Sequence, residues 1–359
     1  ILYLQSLYHA YCFWLSKPYL CAGKINNMKP LQMVDTKTQY QKIKAEVDAA
    51  VGAVMESSQF IGGKVVNDFA INLAAYHNSK HCIPCANGTD ALQIAMMALD
   101  IKAGDEVITP SFTYIATVEV AALLGIKPVF VDVDPQTFCI DPKAIAKAIS
   151  PKTKAIVPVH LYGQAADMEA IMSIAREHNL YVIEDNAQAI GNDYTFCNGK
   201  TQKTGSIGTI GCTSFYPSKN LGAFGDGGAM FTQDDALMEK LKMIASHGQS
   251  MRYYHDVVGC NSRLDAMQAA ILDIKLKHLN AYIKARRKAA DFYDKAFAGN
   301  NKINIPFRAA NNNHVFHQYT LLVNDVNRNA LSDWLTQQMV PNMIYYPVPA
   351  HRQKMFDAF

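Results

Sequence analysis

Short apolar runs rich in β-branched residues alternate with helix-length stretches over the middle of the chain. The runs predict strands at 107–108, 129–133, 156–159, 181–183, 207–215 and 229–232. The stretches between them predict helices at 90–99, 118–124, 141–149 and 166–178. Because strands that alternate with helices are typical of βαβ units, we predict an α/β fold with a mainly parallel sheet flanked by helices.

The pattern changes beyond this region and indicates a second domain. A long helical pattern covers 265–298, and the polar run 300–313 predicts a loop. We therefore predict a large domain at 28–275, which begins with an N-terminal helical arm, and a smaller C-terminal α/β domain at 276–359.

The first 27 residues differ from the rest. Residues 1–16 are mostly apolar and without formal charge, but the stretch is too short to span a bilayer and is interrupted by Gln5, Ser6 and His9. It also lacks the basic segment and the small-residue cleavage site of a signal peptide. We expect 1–27 to be a non-native or disordered extension that precedes a native start at Met28.

Composition narrows the class of protein. Half of the 359 residues are hydrophobic, and 34 Lys and Arg against 31 Asp and Glu give a net charge of +3. The apolar fraction excludes a disordered chain, and the lack of a basic run argues against nucleic-acid binding. We expect small-molecule partners, and neither nucleic acid nor membrane.

Eight cysteines in a chain of this length favour a reducing, cytoplasmic setting over a disulfide scaffold. Cys82 and Cys85 form a C-x-x-C pair, which fits a redox motif, half of a zinc site or two buried structural cysteines. Because no second pair lies nearby in the sequence, we favour the structural interpretation and predict no metal site.

Ligands of open α/β sheets collect beyond the carboxyl ends of the strands, and three such places carry candidate chemistry. The first follows the apolar segment 82–85, where Gly88 allows close backbone approach. Thr89 can cap the helix that begins here while its amide and hydroxyl face an anion. A simple helix start with no ligand explains the same residues.

The second place is the pair Glu184 and Asp185, at the end of an apolar strand. Two carboxylates are costly there unless something uses them. Since strand side chains alternate, only one of the two can point into the ligand crevice. That carboxylate could hold a metal, bind a ribose or pair with a protonated ring nitrogen.

The third place is Lys219, between a strand and the glycine-rich turn 222–228. A dinucleotide fingerprint is excluded because a strand, and not a helix, follows Gly228. A lysine held in such a turn suits a nucleophile that forms a Schiff base. A solvated lysine in a flexible loop is the alternative.

In combination, these motifs resemble the DegT/DnrJ type of sugar aminotransferase, a family of pyridoxal 5′-phosphate (PLP) enzymes of fold type I. The resemblance runs from Met28 onwards and rests on the order of the Gly-Thr pair, Glu-Asp-x-Ala-Gln, Ser-Phe-Tyr-Pro-Ser-Lys and Gly-Asp-Gly-Gly. It implies that Lys219 forms the Schiff base and that Asp185 pairs with the pyridine nitrogen. The match stops near 345–349, so we expect the smaller domain to be truncated.

The resemblance also assigns the remaining cofactor contacts. It implies that Gln188 faces the phenolic oxygen, that Tyr114 stacks on the ring, and that Gly88, Thr89 and Ser214 hold the phosphate. Asn261 matches the asparagine that reaches the neighbouring subunit's phosphate, which implies a homodimer with shared active sites. Asn186 departs from the family, which usually has a small residue at this position.

The implied reaction moves the amino group of L-glutamate to a keto-sugar nucleotide. Within the family, the motifs are most similar to enzymes that aminate C3 of UDP-2-acetamido-2-deoxy-3-oxo-glucuronate for bacterial surface polysaccharides such as the O-antigen of lipopolysaccharide. Arg252 and Arg263 would then bind the anionic substrate, unless they are interface residues. A neutral 4-keto sugar nucleotide as substrate, or a non-catalytic PLP-binding regulatory protein, are the alternatives.

Overall fold

The computed structural model describes residues 31–357, so the predicted extension at 1–27 lies outside the described residues. A seven-stranded sheet forms the centre, in the spatial order β1-β9-β8-β5-β4-β2-β3. Its strands are β1 (His81–Cys85), β2 (Glu106–Pro110), β3 (Lys127–Val131), β4 (Thr153–Ile156), β5 (Tyr181–Asp185), β8 (Ile210–Ser214) and β9 (Gly228–Thr232).

The prediction of a mainly parallel sheet is confirmed. Strands β3, β2, β4, β5 and β8 pair in parallel, whereas β9 runs antiparallel to both of its neighbours, β8 and β1. The connection from β8 to β9 is therefore a local return, and not a crossover helix. This return contains Lys219.

Helices cover the sheet, and each of the five stretches predicted to be helical contains one. The described helices are α1 (Thr36–Ser57), α2 (Gly63–His77), α3 (Gly88–Ala98), α4 (Ala116–Leu123), α5 (Pro142–Ala148), α6 (Met168–Glu177), α7 (Asp235–Ala245), α8 (Ala266–Phe297) and α9 (Arg328–Gln337). One core joins α3 and α7 to the sheet through residues such as Ile94 and Leu241. A second packs α5 and α6 against β2, β4 and β5, and a third packs α2 and α8 against β9.

Helix α8 is a single continuous helix across the predicted domain boundary at 275. Its buried positions, among them Leu272, Leu279 and Ile283, pack on the same core as Phe215 and Phe231 of the large domain. The helix therefore connects the sheet to the C-terminal part of the chain, and the division at 275 stays a prediction.

The sequence pattern did not predict α9, and it did not predict several short strands. They are the hairpins β6–β7 (Asp193–Thr195 and Thr201–Lys203) and β10–β11 (Gln249–Met251 and Tyr254–His255), and the pair β12–β13 (Ile303–Asn304 and Leu322–Val323). Strand β12 lies inside the polar run 300–313, so the prediction of a loop throughout that run is wrong. Its two residues pair with β13, a contact that local polarity does not reveal.

No helix within residues 31–357 is long and apolar enough to cross a membrane.

Candidate active site

The predicted site residues meet at one edge of the sheet. Strands β5 and β8 are parallel and end at Asp185 and Ser214. The antiparallel β9 begins at Gly228, which pairs with Ser214 on one side and with Cys85 on the other. The three places that the sequence singled out are thus brought to the same crevice.

Asp185 is a buried carboxylate held by two donors. The Thr117 hydroxyl donates to Oδ2 over 2.8 Å, and the Ala187 backbone N–H donates to Oδ1 over 3.1 Å. Thr117 is in turn 3.0 Å from the hydroxyl of Thr113. The sequence did not mark Thr117, because it lies within α4 and is 68 residues away from its partner in the chain.

Glu184 points away from the crevice, as the alternation of strand side chains predicts. Its carboxylate accepts hydrogen bonds from the backbone N–H groups of Gly205, Ile207 and Gly208 over 2.6–2.7 Å, and from His160 Nε2 over 2.9 Å. Burial opposes its ionisation, but these donors lower the pKa of Glu184 overall. Glu184 is therefore a structural anchor behind the site.

Lys219 lies in an ordered turn. The turn is closed by hydrogen bonds from Phe215 N to Gly227 O and from Ala223 N to Phe215 O, each 2.7 Å long. The alternative of a lysine in a flexible loop therefore does not fit the structure. Burial lowers the pKa of the Lys219 amine, and attraction to the Asp185 carboxylate opposes this effect. A lowered pKa increases the fraction of neutral, nucleophilic amine.

The start of α3 forms a tight cradle with the ends of β8 and β9. A Cβ atom on Gly88 would lie 2.7 Å from Ser214 Cβ, and one on Gly228 would lie 2.5 Å from the carbonyl carbon of Asn87. Only glycine allows this approach, which leaves backbone N–H groups at a helix N-terminus beside the Ser214 hydroxyl. Such a cradle suits a phosphate.

The helix cap differs from the prediction. Asn87, and not Thr89, caps α3, because its Oδ1 accepts from the Asp90 N–H over 2.8 Å. Thr89 lies inside the first turn and is half-buried. Its amide and hydroxyl thus remain available for an anion, while the capping function belongs to the residue two positions earlier.

Gln188 is fixed at both ends of its side-chain amide. Its Oε1 accepts from the Tyr162 N–H over 2.7 Å, and its Nε2 donates to the Tyr346 hydroxyl over 3.0 Å. Tyr346 also lies edge-on to Phe112, with ring centroids 5.8 Å apart. No sequence motif assigned a function to Tyr162 or to Tyr346, because their contacts with Gln188 span 26 and 158 residues of the chain.

A cleft of about 3560 Å³ opens in front of Lys219. Phe112, Tyr162, His317 and Tyr346 line it together with the lysine. Burial, together with the charges of Lys219 and Arg286, lowers the pKa of His317 well below its usual range. Its buried Nδ1 has no hydrogen-bond partner within the described chain, so this residue of the cleft lining carries an unsatisfied polar atom.

Four predicted residues lie on the surface of the single chain. Tyr114 is 57% exposed, with its ring 6.4 Å from that of Tyr346, which places it at the mouth of the site. Asn261, Arg252 and Arg263 are exposed and do not line the cleft that contains Lys219. The structure therefore does not bring these three to the lysine within one chain.

The C-x-x-C pair lies in β1. Both thiols are free, and burial raises the pKa of Cys82 and of Cys85. No group of three or more His, Cys, Asp or Glu side chains within residues 31–357 is arranged to hold a metal ion. The thiols are thus poor nucleophiles and poor metal ligands in this environment.

The donor set of the crevice fits PLP. The cradle at Gly88 and Ser214 matches a phosphate, the buried Asp185 carboxylate a pyridinium nitrogen, and the Lys219 amine an aldehyde carbon. Gln188 and Tyr114 supply an amide and an aromatic ring beside them. No metal is needed to explain this combination of groups.

Comparison with known proteins agrees with this chemistry. Residues 41–359 match the model of the DegT/DnrJ/EryC1/StrS aminotransferase family. The chain is 48% identical to a "pleiotropic regulatory protein" of Geobacillus stearothermophilus (90% of this chain, 86% of the relative). It is 47% identical to the UDP-2-acetamido-2-deoxy-3-oxo-D-glucuronate aminotransferase of Pseudomonas aeruginosa (90% and 88%).

Two further similarities complete the comparison. The UDP-N-acetyl-3-dehydro-α-D-glucosamine 3-aminotransferase of Acidithiobacillus ferrooxidans is 45% identical, over 91% of this chain and 86% of the relative. The crystal structure of DesV from S. venezuelae superposes with a TM-score of 0.87 at 38% identity, over 92% and 87% of the two chains. The chain therefore belongs to the DegT/DnrJ/EryC1/StrS aminotransferase family, and the predictions of fold type I, of aminotransferase activity and of PLP as cofactor are confirmed at the level of that family.

Proposed function

We propose that this enzyme transfers the amino group of L-glutamate to C3 of UDP-2-acetamido-2-deoxy-3-oxo-glucuronate, with Lys219 and Asp185 as its catalytic residues. The observation that carries the proposal is the buried Asp185 carboxylate beside a lysine of lowered pKa, at the sheet edge where the phosphate cradle lies. The complete set of these groups is what PLP chemistry requires.

Each residue has a defined task in this reaction. PLP, when bound, supplies an electron sink for the pair of electrons left on the substrate carbon after proton removal. The Asp185 carboxylate, oriented by Thr117, would pair with the protonated pyridine nitrogen. Lys219 Nζ, freed when the substrate amine takes its place on the cofactor, would take the proton from the substrate carbon and deliver it to the cofactor carbon on the other side of the transferred nitrogen, a task for which a lowered pKa is suited. Gln188 and the cradle fix the orientation of the ring.

The choice of substrate rests on relatives and on charge. The Pseudomonas relative acts on a 3-oxo-glucuronate and the Acidithiobacillus relative, by its name, on the corresponding neutral sugar, so both point to amination at C3. Arg252, at the tip of the β10–β11 hairpin, and Arg263 supply positive charge for a carboxylate or a diphosphate. Because neither lines the cleft of its own chain, we propose a homodimer in which they serve the neighbouring site.

The cellular setting is part of the same proposal. A nucleotide-linked sugar is an activated form from which a polysaccharide can be assembled, and the free thiols of the described residues fit a reducing, cytoplasmic compartment. We therefore propose a cytoplasmic homodimer that supplies a diamino-uronic acid precursor.

The two half-reactions, measured separately, test the substrate. We expect Arg252→Leu or Arg263→Leu to lose on the order of 2–4 kcal/mol, roughly 30- to 1000-fold in kcat/KM, in the sugar half-reaction, and to change the glutamate half-reaction less. A uronate-binding arginine discriminates between the uronate and the neutral sugar, whereas a diphosphate-binding arginine weakens both. Arg176→Leu, at an exposed position on α6, is the matched control. If neither arginine changes the sugar half-reaction, the uronate proposal is wrong.

A regulatory protein that binds PLP without turnover is the second candidate, because one relative carries a regulatory name. The visible absorbance of the bound cofactor distinguishes the two. An enzyme changes this absorbance when L-glutamate is added, whereas a static spectrum at saturating glutamate supports the regulator.

A further inference from the structure

Lys275 is a fully buried lysine in the middle of α8. Its side chain is 1% exposed, which is rare for this residue type. The ammonium donates a hydrogen bond to the Gly222 carbonyl and lies 5.0 Å from the centre of the Phe224 ring. No ion pair found within residues 31–357 includes it.

Gly222 belongs to the turn that carries Lys219, and a second residue of α8 holds the same turn. Gln268 accepts from the Phe224 N–H over 2.9 Å and donates to the Phe224 carbonyl over 3.5 Å. Residues seven positions apart share one face of a helix, so Gln268 and Lys275 point the same way. Helix α8 therefore contacts the backbone of the turn at two residues, Gly222 and Phe224.

Further along α8, the same face contacts the segment that contains Phe316 and His317, which also lines the cleft. Arg286 lies eleven positions after Lys275, which is close to three full turns. Its Nη1 donates to the carbonyls of Phe316 and His317, each over 3.2 Å. One helix face thus holds both the lysine turn and the segment that places His317 in the cleft.

A buried ammonium without a carboxylate partner is a poor way to gain stability. Burial lowers the pKa of Lys275 to about 8, which shows that the site disfavours the charge. An apolar side chain of similar size would pack there at lower cost, but it would leave the Gly222 carbonyl without its donor. A hydrogen-bond donor at this position therefore has one advantage over an apolar side chain, which is that it fixes the position of the turn.

We propose that Lys275 is a positioning residue for Lys219, holding its turn against α8 through the Gly222 carbonyl. The inference rests on the proposed role of Lys219 in the transfer. A proton is transferred efficiently only between groups held at the correct distance and angle, so a displaced turn slows proton transfer more than it weakens substrate binding. Lys275 itself does not touch the reacting atoms.

The test compares Lys275→Met with Lys275→Gln in the PLP-loaded enzyme. We expect Lys275→Met to lower kcat about 10- to 100-fold while KM for the sugar changes less than about threefold. The pH at which the absorbance of the cofactor bound to Lys219 changes should move by about half a unit or more, because the turn would hold Lys219 in a different position. Lys275→Gln, which keeps a donor, should recover at least part of kcat.

Two controls separate positioning from loss of structure. Lys277→Met changes an exposed lysine two residues further along α8 and should leave kcat, KM and the titration unchanged. Gln268→Leu removes the other polar contact described between α8 and the turn. It should lower kcat as well, so the inference can be judged even if Lys275→Met does not fold.

The possible failures are distinguishable. Borohydride reduction of the wild-type enzyme, followed by peptide mapping, shows which lysine carries the cofactor. A label elsewhere than on Lys219 overturns the proposed role of Lys219 and this inference with it. A label on Lys219, combined with wild-type kcat and titration in Lys275→Met, or with equal losses in the Met and Gln variants, overturns this inference alone.

Discussion

Thr117 donates its hydroxyl proton to Asp185 over 2.8 Å, and so joins the first part of α4 to the carboxyl end of β5. Only one other hydrogen bond to this carboxylate, from the Ala187 N–H, is found within the described chain. The orientation of the carboxylate that faces the pyridine nitrogen thus depends on a residue outside every motif.

Thr117→Val should lower kcat/KM about tenfold, since loss of a hydrogen bond to a charged group costs about 1.5 kcal/mol or more. Because Asp185 acts on the cofactor in both half-reactions, glutamate and sugar should be affected alike. Thr117→Ser keeps the hydroxyl and serves as the control. Equal activity of the Val and Ser variants would contradict the assignment.

Lys219→Ala should still bind PLP through the cradle at Gly88 and Ser214 but lose turnover. Borohydride should label the wild-type enzyme and not the variant, because only a lysine-bound cofactor is reduced onto the protein. Mass spectrometry of the reduced proteins measures the difference. Equal labelling of both proteins would refute the Schiff-base role of Lys219.

Glu184→Gln should destabilise the fold by about 2–4 kcal/mol at neutral pH, because an amide cannot accept from all of the donors around it. The folded pKa of Glu184 lies below its ordinary value of 4.5, so its stabilisation is complete above that pH and is lost as the pH falls through the folded pKa. Urea unfolding at pH 7 and near pH 3 should show the difference between variant and wild type shrink at the lower pH. Glu177→Gln, on the surface of α6, should behave like the wild type at both.

Asn261 gives a test of the shared active site. Lys219→Ala should be inactive and Asn261→Ala weakly active alone, but dimers that contain one of each would have one site with both native residues. If subunits mix at random, the mixture should recover about a quarter of wild-type activity. Refolding the two variants together and assaying the product measures this. No gain over the separate variants would mean that Asn261 acts within its own subunit or not at all.

The strands, the helices next to them and the crevice could be predicted because their signals are local. Apolar runs mark β5 and β8, and the alternation along β5 separates the tasks of Glu184 and Asp185. The choice of Asn87 over Thr89 as the cap of α3 shows the limit of such signals, since two neighbouring residues both have the right chemistry and backbone geometry decides between them.

Other parts of the site could not be predicted because their partners lie far apart in the chain. Thr117 is 68 residues from Asp185, Tyr346 is 158 from Gln188, and Lys275 is 53 from Gly222. Helical periodicity places Lys275 on the same face of α8 as Leu272 and Leu279, and the exposed Lys277 on another face. It does not show that the Lys275 ammonium meets the Gly222 carbonyl, which only tertiary packing brings to this face.

The antiparallel direction of β9 has a consequence for how the cofactor is received. Because Ser214 pairs directly with Gly228, the segment between them is a closed loop of about a dozen residues whose ends are joined when the sheet forms. The entropy of ordering that loop is therefore lost during folding and not at the moment of binding. An incoming cofactor meets a lysine already in place, so its binding free energy is not reduced by the cost of organising the loop.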